Sequence, residues 1–384
     1  MSQHDPPSTT DTRRSFIAKS AAVGVGAGMA GVFARPAAAQ DEPRSLPQKA
    51  TSGDVDILKF LAAAELVEDD LWQQYCELAV RNRPYRNALE RIDPSLIRYI
   101  CDDRDDERSH AEFINAYLGS IGQTPVNLDP FRTLPGSRAQ GSEGRGRLTN
   151  LSNLTIDTSW YNRYRGRGNP DFGDTFPQVA RLQGVPTIPS RPRNVRRDEA
   201  QALAHAAAFH FGTIEQGGGS LYTNLLSKVT SLDAVIILSS IGPTEIYHFA
   251  AFHKSLENLP GFQGFGVSNP NLRSDTDRAQ AIFPEPCKFF GNGFPLTSVI
   301  RPRETANAGA VASATALVQS GLFQGQPQAF LDAVVKLAKA ADAAVRGAGM
   351  GSSAPTTGYT GAAGATGAAG STGATGSRGA RRSR

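Results

Sequence analysis

The chain has 384 residues, 40% hydrophobic and 20% charged, with 39 glycines and 24 prolines. That suffices for one large domain or two ordinary ones, diluted by loops and tails. The formal net charge is +4, but residues 1–39 and 350–384 each hold four basic side chains, and the body between them has two more acids than bases. This argues against a nucleic-acid-binding core, and three cysteines (Cys76, Cys101, Cys287) are too few for a disulfide framework or a thiolate zinc module.

The N-terminus pairs Arg13-Arg14 with Phe16-Ile17, continues through a soft apolar run from Ser20 to Phe33, and ends on Arg35-Pro36-Ala37-Ala38-Ala39. This order resembles a twin-arginine (Tat) export signal with cleavage after Ala39. It implies bacterial origin, the Tat export machinery as a partner and a periplasmic or extracellular destination. A route that carries folded proteins suits one loaded with its cofactor before export. Outside the leader no stretch carries about 18 uncharged apolar residues, so no stable membrane span is expected after cleavage.

Residues 40–53 read as a polar linker. From Asp54, a plausible N-cap, apolar residues recur at three- and four-residue steps to Arg81, predicting a helix that ends before Pro84. A second helix is expected over Pro94–Gly122. Residues 123–197 are rich in Pro, Gly, Arg and Asn without a period. Asp198–Val229 and Leu232–Leu259 predict a second helical pair. After a Pro/Gly-rich stretch, Arg303–Leu322 and Pro327–Arg346 predict Ala-rich helices covering the bundle. The tail places Gly at every third position from Gly358 to Gly379, the collagen period without its prolines, and reads as a flexible low-complexity segment. Hairpin, long crossover, hairpin is the connectivity of a mainly α, ferritin-like four-helix bundle, here spanning residues 54–259 with residues 260–349 packed on it.

Five of the six histidines lie beyond the leader, and two complete an E-x-x-H spacing: Glu107/His110 and Glu245/His248. Three residues at about 100° each put Glu and His on one helix face. Each pair falls on the second helix of an expected hairpin. The first helices each owe one more carboxylate. Glu215 is the single interior acid of its segment. In the first segment Glu65 and Glu68 compete. Glu65 precedes Leu71-Trp72 by the same offsets at which Glu215 precedes Leu221-Tyr222, so Glu65 is preferred and Glu68 held in reserve. The set Glu65, Glu107, His110, Glu215, Glu245 and His248 matches a dinuclear carboxylate site for two iron or manganese ions. Four carboxylates and two divalent cations are also mutually neutral.

The stretch Asp106–Ile114 resembles the D-E-x-x-H-x-x-F-[LI] signature of the ferritin-like domain in desiccation-related proteins. Asp54–Phe60 with Glu65 and Glu68 is similar to that family's first helix, and Glu245–Ala251 to its fourth. The resemblance covers residues 54–122 and 198–259 and implies the same six metal ligands. Two departures flank them: Gly217-Gly218-Gly219, expected to break the helix or open a path to the metals, and Pro243, expected to kink the last helix.

Trp72, Tyr75 and Tyr222 read as core aromatics, and His205, His210 and His253 as surface residues or supports of the ligands. Counting 100° per residue turns Cys76 toward the cavity and Cys101 away from it, which predicts free thiols. The segment Trp160–Arg167 reads as a solvated loop. The functional expectation is O2- or peroxide-linked redox chemistry or stress protection by an exported protein, with a homo-oligomer left open. The alternative is a non-catalytic envelope or desiccation-stress protein whose bundle is structural.

Overall fold

The computed structural model describes residues 46–163, 176–192, 195–274 and 308–347, with 284, 286–289 and 293–300. The leader, the Gly-x-y tail and the start of the helix expected from Arg303 lie outside these residues. Among the described residues the fold is mainly helical.

Helix α1 (Ser52–Arg81) begins at a capping box: the Thr51 hydroxyl accepts from Asp54 N–H and the Asp54 carboxylate accepts from Thr51 N–H. Asp54 is therefore not the N-cap but its N3 partner, and it also accepts from Thr230 and Ser231 N–H. Asn82 ends α1 and caps a short helix, α2 (Arg83–Glu90), with its side chain accepting from Tyr85 N–H. Pro84 thus sits in the first turn of a helix instead of beyond the end of one. Helix α3 (Leu96–Ser120) returns along α1.

Among its described residues the crossover holds a 3-10 turn (Asp129–Phe131), a short helix, α4 (Trp160–Arg163), and strand β1 (Arg181–Leu182). Two long helices follow, α5 (Arg197–Leu226) and α6 (Leu232–Leu256), paired with each other, and α6 also touches α3. Beyond them β2 (Phe262–Gly264) and β3 (Val267–Asn269) join β1 in an antiparallel sheet of order β1-β3-β2, with Ser268 opposite both Arg181 and Gln263. Helices α7 (Ala310–Ser320) and α8 (Gln328–Ala343) pack on each other, and α8 lies on α1. Helix α5 runs unbroken through Gly217-Gly218-Gly219 and α6 runs unbroken through Pro243. By length and composition alone α6 is long and apolar enough to cross a membrane, a property the sequence reading missed. In the fold it packs along α5 with Glu245 and His248 buried.

The crossover is irregular but not solvated. Leu148, Leu151, Leu154, Trp160 and Tyr161 are all buried. The Trp160 indole donates to Thr213 Oγ1 on α5 at 3.0 Å. The expected solvated loop is corrected at Trp160 and Tyr161, and residues 164–167 lie outside the description. Two acids of α1 hold the crossover down. Asp70 accepts from Leu148 N–H, Thr149 N–H and the Thr149 hydroxyl, and pairs with Arg132 at 2.6 Å. Glu77 pairs with the fully buried Arg147 at 2.6 Å.

Cys76 and Cys101 form a disulfide between α1 and α3, with Cα atoms 5.0 Å apart, which overturns the expectation of free thiols. The angular count measured each cysteine against the central cavity. The bridge forms on the flank where two adjacent helices face each other, and there neither side chain needs to point at the cavity. Cys287 is free and buried.

The three further histidines are not surface residues. His205 is fully buried and its Nδ1 lies 2.9 Å from Asn269 Oδ1. His253 is buried among Trp160, Tyr161 and Phe249. His210 is buried with Nδ1 2.8 Å from the Tyr75 hydroxyl, which donates to Thr187 Oγ1. Burial holds His210 down at about 3, so it is neutral at ordinary pH.

Candidate metal centre

All six side chains singled out in the sequence meet in the interior. Helix α1 supplies Glu65, α3 supplies Glu107 and His110, α5 supplies Glu215, and α6 supplies Glu245 and His248. The two i,i+3 pairs project inward from the return helices of the two hairpins, as their spacing requires. The acids are 0–2% exposed and the imidazoles 8–9%.

Two groups of donor atoms result. Glu65, Glu107, His110 and Glu245 form one. Asp103, Glu107, Glu215 and His248 form the other, and within each group the donors lie within 4.8 Å of one another. His110 Nδ1 stands 3.1 Å from Glu107 Oε2 and 3.4 Å from both Glu65 Oε2 and Glu245 Oε1. His248 Nδ1 stands 3.0 Å from Asp103 Oδ1, 3.1 Å from Glu107 Oε1 and 3.3 Å from Glu215 Oε2. The imidazole rings stack loosely, centroids 6.4 Å apart. Glu107 belongs to both groups and turns one oxygen toward each imidazole.

Asp103 was missed in the sequence. It is 2% exposed, and neither carboxylate oxygen has a hydrogen-bond partner. A signal was present, because Asp103 precedes Glu107 by four residues and His110 by seven, on the same helix face. Glu68 joins neither group, although its Oε2 is buried without a partner beside them. Outside the groups, Asp106 Oδ2 lies 3.1 Å from His248 Nε2, which fixes the ring with Nδ1 inward. The Tyr222 hydroxyl donates to Glu65 Oε1.

The electrostatics bear on what this cluster can hold. Burial, with the charges of Glu245 and Glu65, pushes Glu107 well above the usual carboxylate range. Burial and Asp103 do the same to Glu215, and burial and Glu65 raise Glu245 to about 7. Burial also raises Glu65, but the close approach of His110 and Glu107 and the Tyr222 hydroxyl outweigh it and hold the group low. Burial alone would lower His110, yet Glu107, Glu245 and Glu65 push it up to about 12. His248 is raised by Asp103, Asp106, Glu107 and Glu215 against its own burial. Glu65 Oε2, Glu107 Oε1 and both oxygens of Glu215 and Glu245 are buried without hydrogen-bond partners, as is His248 Nδ1. Buried polar atoms in folded proteins are normally satisfied, and buried like charges repel. Oxygen donors flanking an imidazole nitrogen fit a divalent transition metal, so each group can hold a metal ion.

Gly218 makes room for this arrangement. A Cβ there would lie 2.6 Å from Glu245 Oε2, so any larger residue at this position would require the Glu245 carboxylate to move from where it stands. No protein-family model, curated protein or solved structure matches the chain, and the functional reading rests on these side chains.

Proposed function

We propose that the chain is an exported, ferritin-like protein whose bundle binds two iron or manganese ions at this centre and uses them in O2- or peroxide-linked redox chemistry. One observation carries the reading: Glu107 is shared between two donor groups and offers a separate oxygen to each. Five carboxylates and two imidazoles give each position hard oxygen donors and one nitrogen, a set suited to Fe or Mn. When bound, such a pair supplies redox cycling beside carboxylates that can shift between one metal and both. The chain's own part is to hold the donors converged, to keep His248 oriented through Asp106, and to shield the cluster from bulk water. The hairpin–crossover–hairpin order supports the ferritin-like reading. The leader supports Tat export after metal loading.

The test is elemental analysis of purified protein beside Glu107→Ala and Glu245→Ala, followed by O2- and peroxide-consumption assays. About two Fe or Mn per chain, lost in Glu107→Ala, is the expected result. Equal metal content in all three proteins overturns it. A second reading has its own support, since His110 already contacts three carboxylates and His248 four, contacts that would tie the four helices together. In that case the protein is a structural envelope or desiccation-stress protein. Bound metal that is inert to both oxidants selects this reading.

A further inference from the structure

A cavity of about 1230 Å³ opens directly behind the metal centre. Its inner wall is built from two helix faces, Phe60, Ala64 and Glu68 on α1 and Ile214, Gly217, Gly218 and Leu221 on α5. Ala64 and Ile214 each precede a proposed ligand, Glu65 or Glu215, by one residue. Glu68 and Gly218 each follow one by three, so the wall of the cavity is the back of the centre. Helix α7 and the crossover close the far side.

Two glycines lie on the wall between the spaces. At Gly217 a Cβ would have nothing within 4 Å, and the residue is exposed within a helix that is otherwise mostly buried. At Gly218 the missing side chain leaves the Glu245 carboxylate against the wall. Glu68 spans the boundary: it lines the cavity, while its buried Oε2 has no hydrogen-bond partner and its charge is felt from Glu245, Glu107, Glu215 and Glu65.

We propose that this cavity binds an uncharged, apolar small organic molecule and presents it to the metal centre, as a substrate or co-substrate of the chemistry proposed above. Its role as substrate rests on that reading, whereas binding itself does not. The α1 side of the wall nearest the centre is aliphatic and aromatic apart from Glu68, and α5 adds Thr213, Gln216, Ser220 and the neutral His210 beside Ile214 and Leu221. Among the charged lining residues the acids Glu68, Asp157 and Asp342 outnumber Arg181, so an anion meets a net negative wall with the centre's carboxylates behind Glu68. The volume exceeds what O2 or peroxide needs and suits an organic molecule.

The probes are N-phenyl-1-naphthylamine, neutral and apolar, and its anionic relative 8-anilinonaphthalene-1-sulfonate. Both are titrated by fluorescence into the full mature chain and into Gly217→Phe, with metal content measured on the same samples. Gly217 lines the cavity with open space beside it, so a phenyl ring there takes up part of the cavity with no atom within 4 Å of its Cβ to displace. Ala312→Trp on the α7 side provides a second block should the first variant misfold. The expected result is saturable binding of the neutral probe, weakened about tenfold or more by either block, with metal content unchanged and the anionic probe bound more weakly. No saturable binding, unchanged affinity in both blocked variants, or preference for the anionic probe overturns the proposal. Binding that is lost on blocking, in protein that never holds metal, supports the pocket and overturns the metal reading.

Discussion

The carboxylate of Glu245 occupies the space that any side chain at position 218 would claim, since a Cβ on Gly218 would approach its Oε2 to 2.6 Å. The neighbouring Gly217 has no such contact. Two adjacent glycines of one helix therefore answer to opposite constraints. Gly217→Ala should stabilise the fold by up to about 1 kcal/mol through helix propensity and leave metal content unchanged. Gly218→Ala should displace Glu245 and lower both metal content and stability. Denaturant titration with elemental analysis separates the two, and equal behaviour would contradict the close approach.

Asp103 supplies a carboxylate to the group around Glu215 and His248 and none to the group around Glu65 and His110. Asp103→Asn keeps the shape and removes the charge. It should lower metal occupancy toward about one ion per chain and weaken the remaining binding by less than Glu107→Ala does. Loss of all metal in Asp103→Asn, or of none, would show that Asp103 does not distinguish the two positions.

The Cys76–Cys101 bridge joins α1 to α3, the helices that carry Glu65, Glu107 and His110, and closes a loop of 25 residues. Removing it should cost about 3 kcal/mol. Denaturant unfolding of the oxidised protein against Cys76→Ser/Cys101→Ser, with and without reductant, measures the difference. Reductant should shift the wild type alone.

His210 is buried and held at about 3 by desolvation, against an ordinary imidazole value near 6.5. Its native value lies below its unfolded value, so its contribution to stability is complete above about pH 6.5 and lost as pH falls toward 3. Across that window the unfolded chain takes up a proton that the native protein refuses, a slope of about 1.4 kcal/mol per pH unit. Stability measured at several pH values in wild type and His210→Gln should show the steeper acid loss in wild type. Parallel curves would mean that His210 is protonated in the native protein.

The convergence of these six side chains was legible because Glu107/His110 and Glu245/His248 repeat a three-residue spacing that a helix converts into a shared face. The preference for Glu65 over Glu68 came from the Leu-aromatic pair six and seven residues on, which Glu68 matches only in its aromatic, Tyr75; Tyr222, the aromatic of the pair after Glu215, donates to Glu65. Asp103 escaped notice although the same periodicity marks it. The disulfide was misjudged because an angle measured from a cavity does not say which neighbouring helix a flank faces. Trp160 and Tyr161 were misplaced for a different reason. An irregular segment has no period, so nothing in its local pattern distinguishes a buried strap from a solvated loop. His205 and His210 were read as surface residues or supports of the ligands; both are buried, against partners distant in sequence, Asn269 and Tyr75, that no local spacing announces.

Arg147 and Glu77 have a wider consequence. Their pairing, with that of Arg132 and Asp70, makes the crossover an electrical counterweight to the first helix. A shortened protein that joined the two hairpins directly would strand two acids in its interior, and stripping one partner from such a pair is costly. The crossover thus cannot be pruned as ornament, and any minimal version of the scaffold must first replace Asp70 and Glu77 with neutral residues.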